Sequence, residues 1–542
     1  MKRIFVLMFA LGTFAAQAQQ NTFLDPSFWK NNPDLATVKA EVEKGNDPSE
    51  ANRMAFDAVV YAINGQAPTE VVKYLLDQKG NGVDKPTHDA RTYMFWAANK
   101  GNVEVVEYLI SKGAKVNVED SHGMTPIGFA AAAGQTNTKL YDALIKGGAD
   151  VKQKNQDGAS LLLLAIPNDK DFVLTDYFIS KGLSLKDVDA AGNTAFNYVA
   201  RTGNIELMKT LVQKGVKYTD NAMIMATQGA RGAAANGLEV FQYLESLNLK
   251  PTVINKNGEN ALHGLARKPN QDAIINYFLS KGVSVDQADN DGNTPFMLAA
   301  GSNRDTATVA LLLSHTKNIN QVNKKGLSPL AMAVKSNSAE VVQYLIAKGA
   351  DIKVVDGDGN NLGYYLVQSY MPQGGQGFAG GPEGGRPAPT NAQAGTKPGT
   401  QEPNRLGNNS QQAGGRPQGE GRGGQRGDVF SPKMKVLQES GVDLAAPQKD
   451  GNTLYHLAIS KNDLALLKRI ERLNIDVNVK NKEGLTALQK AAMLAKDDTI
   501  LKYLLSIGAK KDITSEFKET AYDMAKENEF LSKNNISVDF LK

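Results

Sequence analysis

The sequence predicts a mostly α-helical solenoid of about 12–13 stacked helix-turn-helix units with short β-turn fingers, interrupted by one disordered Gly/Pro-rich insertion. Three observations carry that prediction. A turn glycine recurs at a nearly constant interval. The residues around it repeat one order of turn, cap and apolar stripe. A single stretch, 371–428, departs from that composition.

The interval comes first. Gly123, Gly158, Gly192, Gly258, Gly292, Gly326, Gly359, Gly451 and Gly484 are separated by 35, 34, 66, 34, 34, 33, 92 and 33 residues. The step of 66 is two periods with one glycine lost, and the step of 92 is one period of 33 with 59 residues added. Length alone, at 542 residues, would suggest three or four globular domains. A period near 33 replaces that expectation with stacked repeats.

The unit at 289–322 shows the grammar. Asn290-Asp291-Gly292-Asn293 is a turn, because glycine accepts positive φ and Asn/Asp side chains bond nearby backbone. Thr294-Pro295 opens a helix with a hydroxyl cap and a proline where no amide donor is needed. Phe296, Leu298, Ala299 and Ala300 form its apolar face, and Val309, Leu311, Leu312 and Leu313 mark a second helix. The same order recurs at Thr125-Pro126-Ile127, Ser328-Pro329-Leu330, Thr453-Leu454-Tyr455-His456 and Thr486-Ala487-Leu488. Helices this short are marginal alone, so they must bury their stripes against neighbouring units. Alanines at 97, 98, 130, 131, 299, 300, 491 and 492 permit close approach. A charge placed at Ala299 is expected to cost ~3–5 kcal/mol.

These units resemble the ankyrin repeat, whose pattern is Gly-x-Thr-Pro-Leu-His-x-Ala-Ala followed by Val-x-x-Leu-Leu and Gly-Ala. The second half is matched by Val105-Val106-Glu107-Tyr108-Leu109-Ile110-Ser111-Lys112-Gly113-Ala114 and by Val341-Val342-Gln343-Tyr344-Leu345-Ile346-Ala347-Lys348-Gly349-Ala350. The resemblance runs from about residue 34 to the C-terminus, outside 371–428. Near 221–237 the finger glycine is missing, and Gln228–Asn236 reads as an enlarged loop. Leu35–Gly45 and Thr520–Asn528 read as end caps. The expected organisation is a signal peptide at 1–18, an N-terminal segment and cap at 19–50, and repeats at 51–370. The insertion follows at 371–428, then repeats and a C-terminal cap at 429–542.

The insertion holds 17 of the 51 glycines and seven of the 20 prolines. Its only large apolar residues are Met371, Phe378 and Leu406, too few to offset the entropy of ordering. Asn361–Tyr370 reads as a first helix and Ser431–Gly441 as its second, so the insertion falls in the turn inside one unit. A long loop there is thermodynamically tolerable, because closure entropy grows only logarithmically. Arg416, Arg422 and Arg426 among glycines look like an RNA-binding tract, but export favours a flexible linker, with electrostatic contact to an acidic surface such as a cell-envelope polymer as the alternative.

Composition narrows the function classes. Net charge is +4, of which Lys2 and Arg3 supply two and the insertion another two. The remainder is near neutral, which argues against a general nucleic-acid surface. Cysteine is absent, which excludes disulfides and thiolate chemistry. Lys2-Arg3, the apolar run Ile4 to Phe14 and Ala16-Gln17-Ala18 form a secretory signal pattern with cleavage expected after Ala18. The run is too short for a spanning helix, and none is expected in the mature chain. The expected location is the periplasm of a Gram-negative bacterium, with the extracellular space as the alternative.

Catalytic signatures are missing. Gly375-Gln376-Gly377-Phe378-Ala379-Gly380 matches G-x-G-x-x-G but follows no strand. Asp356-Gly357-Asp358-Gly359-Asn360 lacks the later ligands of a calcium loop and reads as a repeat turn. His263 and His456 fall where the resemblance implies a bracing histidine. His88 and His122, in adjacent fingers near Asp89, Glu119 and Asp120, are the only conceivable metal group. Tyr74, Tyr108, Tyr177, Tyr243, Tyr277, Tyr344 and Tyr503 recur in the second helix, either as packing or as an aromatic binding stripe.

The resemblance implies a binding surface at finger tips and the solvent face of the first helix. That proposes His88, Asp89, Arg91, Asn99 and Lys100 in one unit, and Ser121, His122 and Met124 in the next. Asn290, Asp291 and Asn293, then Lys324, Lys325 and Lys335, then Lys449, Asp450 and Asn452 continue the series. Mixed charge at the tips suits a protein partner. The expectation is therefore a non-catalytic protein-binding scaffold in the cell envelope. It is a monomer with no cofactor, no metal and no nucleic-acid partner. The rivals are a secreted effector that binds a host protein, and a metal binder or an enzyme with an unrecognised site.

Overall fold

A computed structural model describes residues 21–229, 234–371 and 428–542. The expected signal peptide and the body of the insertion lie outside the described residues. Within them every regular element is a helix and none is a strand. The chain divides into two compact units, Met1–Thr219 and Asp220–Lys542.

The first unit opens with a 3-10 turn at Thr22–Leu24 and helices Pro26–Lys30 and Leu35–Glu43. Only the last of these was legible as a cap. Phe23 and Trp29 are buried and stack on each other, with Trp29 Nε1 donating to Phe23 O at 2.9 Å. Five helix pairs follow, from Ala58–Asn64 with Thr69–Leu76 to Ala195–Ala200 with Ile205–Gln213. The fourth is irregular. Helix Leu161–Ala165 passes into a 3-10 turn, Ile166–Asn168, because Pro167 cannot continue an α-helix.

The second unit holds eight pairs among its described residues, from Ala222–Gln228 with Leu238–Ser246 to Ala521–Glu527 with Glu529–Lys533. Thr294 caps Pro295–Ser302 by accepting from Met297 N, and Ser338 caps Ala339–Ala347 by accepting from Val341 N. Gly349 ends the latter helix at φ +91°, letting Ala350 N reach back to Leu345 O at 3.0 Å. Val341, Val342 and Leu345 are fully buried, each contributing ~1.5–3 kcal/mol. Ala299 and Ala300 are fully buried where Pro295–Ser302 packs on Pro329–Ser336.

The two expected irregularities are located. The helix Ala222–Gln228 starts without a finger, and Asn221 gives it no side-chain cap bond. Its far end is capped from the next repeat, where Lys268 Nζ donates to Thr227 O and Gln228 O, both at 2.7 Å. The insertion is flanked by Leu362–Gln368 and Phe430–Glu439, the two helices of one pair. The following repeat holds both flanks. Tyr370 donates to Asp463 Oδ1 at 2.8 Å, Arg469 Nη1 donates to Asp428 Oδ1 at 2.8 Å, and Tyr370 meets Phe430 edge-on. Lys433, 2% exposed, donates to Val334 O at 2.8 Å and thereby caps the neighbouring helix Pro329–Ser336.

Candidate interaction surface

The fingers are turns tied to one another. Asp289 Oδ1 accepts from Asp291 N and Asn293 N, and Gly292 takes φ +83°. Asn323 and Asp356 build the same turn in the next two fingers. Backbone bonds then run from finger to finger within the second unit. Asn290 N donates to Asn257 O, Lys324 N to Asp291 O, Gly357 N to Lys325 O, Lys449 N to Gly359 O and Lys482 N to Asp450 O, at 2.8–3.2 Å. Gly326 is required by this approach, because a Cβ there would lie 2.4 Å from Gly357 N. From Asn257 to Lys482 the fingers thus form one hydrogen-bonded row. Asp356–Asn360 belongs to it as a turn, as the sequence indicates.

Histidines brace the row from beneath. His263 Nδ1 accepts from Asn260 N, and its Nε2 faces Asn293 O at 3.3 Å. His456 Nδ1 accepts from Thr453 N, and its Nε2 donates to Leu485 O at 2.9 Å. Burial lowers the His456 pKa, which favours this neutral form.

In the first unit four of the expected surface residues converge. Asp89 Oδ2 lies 3.1 Å from Arg91 Nη1 and 3.5 Å from both His88 Nε2 and His122 Nε2. Asp89 and Ala90 both take φ +58°, an uncommon pair of left-handed non-glycine residues. Arg91 is 4% exposed, so it is a structural residue rather than a presented one. Its Nε pairs with Asp120 at 2.8 Å and its guanidinium lies over Phe129 and Trp96. His88 Nδ1 is bonded to Met54 O and the ring lies beside Phe56. Among the described residues no three His, Asp or Glu side chains are grouped as a metal ion requires. No helix of the described residues is long and apolar enough to cross a membrane.

The remaining candidates are spread along the row. Ser121, His122, Asn290, Asp291, Lys324, Lys325, Lys449 and Asp450 are exposed. His88, Asp89, Asn99, Lys100, Met124, Lys335 and Asn452 are half-buried. Asn293 is buried, bonded through its side chain to Asp289 and Asn323. Its position beside the turn glycine mimics that of a tip residue, and only the packing of the next finger hides it.

The tyrosine ladder has another use than ligand contact. Tyr108 donates to Asp77, Tyr177 to Asp142, Tyr277 to Glu245 and Tyr503 to Glu471, each in the preceding repeat, at 2.6–2.8 Å. In the first three, a lysine four residues on, Lys112, Lys181 or Lys281, pairs with the same carboxylate. The lysine and tyrosine bonds hold the Glu245 carboxyl below its ordinary range, and burial pushes the Tyr277 hydroxyl up. Tyr344 has the lysine contact, from Lys348, without an acid.

Sequence reading missed a second feature. Ile254, Val322 and Val355 are 52%, 49% and 57% exposed. Each directly precedes the Asn or Asp that forms its finger turn, a register visible in the sequence once the turn residue is aligned.

The family model of ankyrin repeats, three copies to a match, fits residues 30–120, 56–151, 128–222, 231–321 and 265–356, more than half of the chain. A putative ankyrin repeat protein of Rickettsia felis is 24% identical over 327 residues, 58% of this chain and 71% of its own length. Alpha-latroinsectotoxin-Lt1a of Latrodectus tredecimguttatus is 23% identical over 341 residues, 53% of this chain and 24% of the toxin. Transient receptor potential cation channel subfamily A member 1 of Homo sapiens is 24% identical over 287 residues, 51% of this chain and 26% of the channel subunit. The chain spans about a quarter of the length of the latter two.

Proposed function

The chain belongs to the ankyrin-repeat family, and from that footing we propose that it is a non-catalytic scaffold binding a protein partner on its fingers and first-helix faces. One observation carries the reading. Within the second unit the fingers from Asn257 to Lys482 are hydrogen-bonded to one another in an unbroken row, and side chains at equivalent positions project from it. A preformed row lowers the ordering cost of association. Family membership names a binding architecture and leaves the target open, because fold does not decide function.

The location we propose is the cell envelope, with export directed by Lys2-Arg3, the run Ile4 to Phe14 and cleavage after Ala18. That rests on sequence pattern alone. Fractionation into periplasm and culture supernatant separates a resident scaffold from a secreted effector.

The scaffold reading is tested by photo-crosslinking. A photoreactive residue is placed at Ser121, Asn290 or Lys449 on the tips, and at Glu107 on a second helix as the control. Crosslinks to one protein from the tips but not from Glu107 are expected. The reading fails if the tips yield none, or if turnover of a substrate accompanies the purified chain.

A further inference from the structure

We propose that Lys85 and Asn81 become joined by a side-chain amide bond within the folded chain, with Asp57 and Tyr93 as the catalytic residues. The inference is independent of the scaffold reading. Four side chains from three parts of the first unit meet at one point. Asp57 is the N-cap of Ala58–Asn64, Asn81 and Lys85 lie in the loop after Thr69–Leu76, and Tyr93 opens Tyr93–Lys100. Asp57 and Tyr93 are fully buried, and Asn81 is 1% exposed. Lys85 Nζ lies 2.8 Å from Asp57 Oδ2 and 3.1 Å from Asn81 Oδ1, with Ser49 O as its third partner at 2.8 Å. The Tyr93 hydroxyl faces the same two oxygens, at 2.7 Å from Asp57 Oδ2 and 3.2 Å from Asn81 Oδ1. Asn81 Nδ2 is turned away from the amine and donates to Leu75 O at 2.9 Å and Pro48 O at 3.2 Å. Those two carbonyls fix which end of the carboxamide faces Lys85.

An ion pair alone needs only the lysine and the aspartate. The carboxamide and the phenol add the remaining parts of an amide exchange. Asp57 Oδ2 takes a proton from the Lys85 ammonium and frees the lone pair of Nζ. Nζ then adds to Asn81 Cγ, and the carbonyl electrons move onto Oδ1, where the Tyr93 hydroxyl donates to them. Burial, with the Asp57 carboxylate beside it, pushes that hydroxyl well above its ordinary range, so it keeps its proton and remains a donor. As the carbonyl re-forms, the bond from Cγ to Nδ2 breaks. Nδ2 leaves as ammonia with a proton shed by Nζ, and the proton held on Asp57 departs with it, which restores the carboxylate. Leu75 O and Pro48 O accept hydrogen bonds from the departing nitrogen. Nothing is oxidised or reduced, so a chain without cysteine gains a covalent link that needs no oxidant. Lys85 N donates to Gly82 O at 2.8 Å, and this turn holds the two reacting side chains together before reaction.

The test is mass spectrometry of the full chain, incubated folded at neutral pH and then digested with trypsin. Residues 80–91 leave as one peptide, because Pro86 protects the bond after Lys85. That peptide is expected to be lighter than its sequence by one ammonia. It is also expected to give no fragments from single breaks between residues 81 and 85, since a ring must be cut twice. Lys85→Arg is expected to restore the full mass. A loss of ammonia that persists in Lys85→Arg marks a succinimide at Asn81-Gly82 and overturns the proposal. Asp57→Asn is expected to form the link roughly a hundredfold more slowly. Tyr93→Phe is expected to slow it roughly tenfold. Cooperative thermal melts establish that both variants fold, and formation at the parent's rate in either one overturns the proposal. A full-mass peptide from the folded parent overturns it without recourse to any variant, and leaves the four groups as a buried ion pair.

Discussion

His456 reaches from the first helix of one repeat to the carbonyl of Leu485 in the next, at 2.9 Å, and Gln489 repeats the bridge one repeat later. Gln489 Oε1 accepts from Thr486 N at 2.8 Å and its Nε2 donates to Glu519 O at 3.0 Å. An amide therefore does in one repeat what a neutral imidazole does in another. The difference is that imidazole titrates.

Burial lowers the His456 pKa below its ordinary 6.5 in the folded chain. As pH falls through 6.5 the unfolded chain takes up the proton first. This contribution to stability is intact above 6.5 and is lost as pH drops from there toward the folded value. His456→Gln is expected to match the parent in urea melts at pH 7.5 and to lose less stability on acidification to pH 5. Equal pH dependence in both proteins contradicts the assignment.

Lys433 makes the same case at alkaline pH. Burial, aided by Arg304, lowers its pKa from 10.5 to about 8. Between those values the unfolded chain binds more protons, so stability rises with pH, by up to about 3 kcal/mol for this group. Lys433→Met removes a buried charge at the expense of one bond to Val334 O. It is expected to flatten the difference in unfolding free energy between pH 8 and pH 10.

The joint at the insertion is held by side chains on both flanks, through Tyr370, Phe430, Asp428, Asp463 and Arg469. A chain cut by an introduced protease site within 372–427 is expected to elute as one complex of two fragments on size exclusion. Arg469→Ala is expected to lower the melting temperature of the cut protein more than that of the intact one. Separation of the fragments under native conditions refutes the joint.

The Tyr277–Glu245–Lys281 clasp lies at the surface, where water screens it. A double-mutant cycle with Tyr277→Phe and Glu245→Ala is expected to give a coupling of about 0.2–1 kcal/mol, measured by chemical denaturation. A coupling above 2 kcal/mol would show that the clasps are a principal source of stacking energy.

Much of the helical order was legible because its signals are local. Thr294-Pro295 states a cap and a first turn, Gly349 a helix end, and Ala299-Ala300 a face that must meet another helix. The histidine brace was expected only from the family resemblance, which implies a bracing role at the position of His456, three residues after Thr453. The N-terminal turn around Phe23 and Trp29 was not, because it is formed by burial against other elements and carries no repeat.

What the sequence determined by itself is the periodic fold: caps, turn glycines and apolar stripes act within one repeat or between identical neighbours, so their chemistry can be read along the chain. Which side chains reach solvent was decided only by tertiary structure. Arg91 and Asn293 sit at tip positions yet are covered by Phe129 and the next finger, while Ile254, Val322 and Val355 have core composition yet stand in water. Exposure depends on what the adjacent repeat places over a residue, about 33 positions away, and a local pattern does not encode that distance.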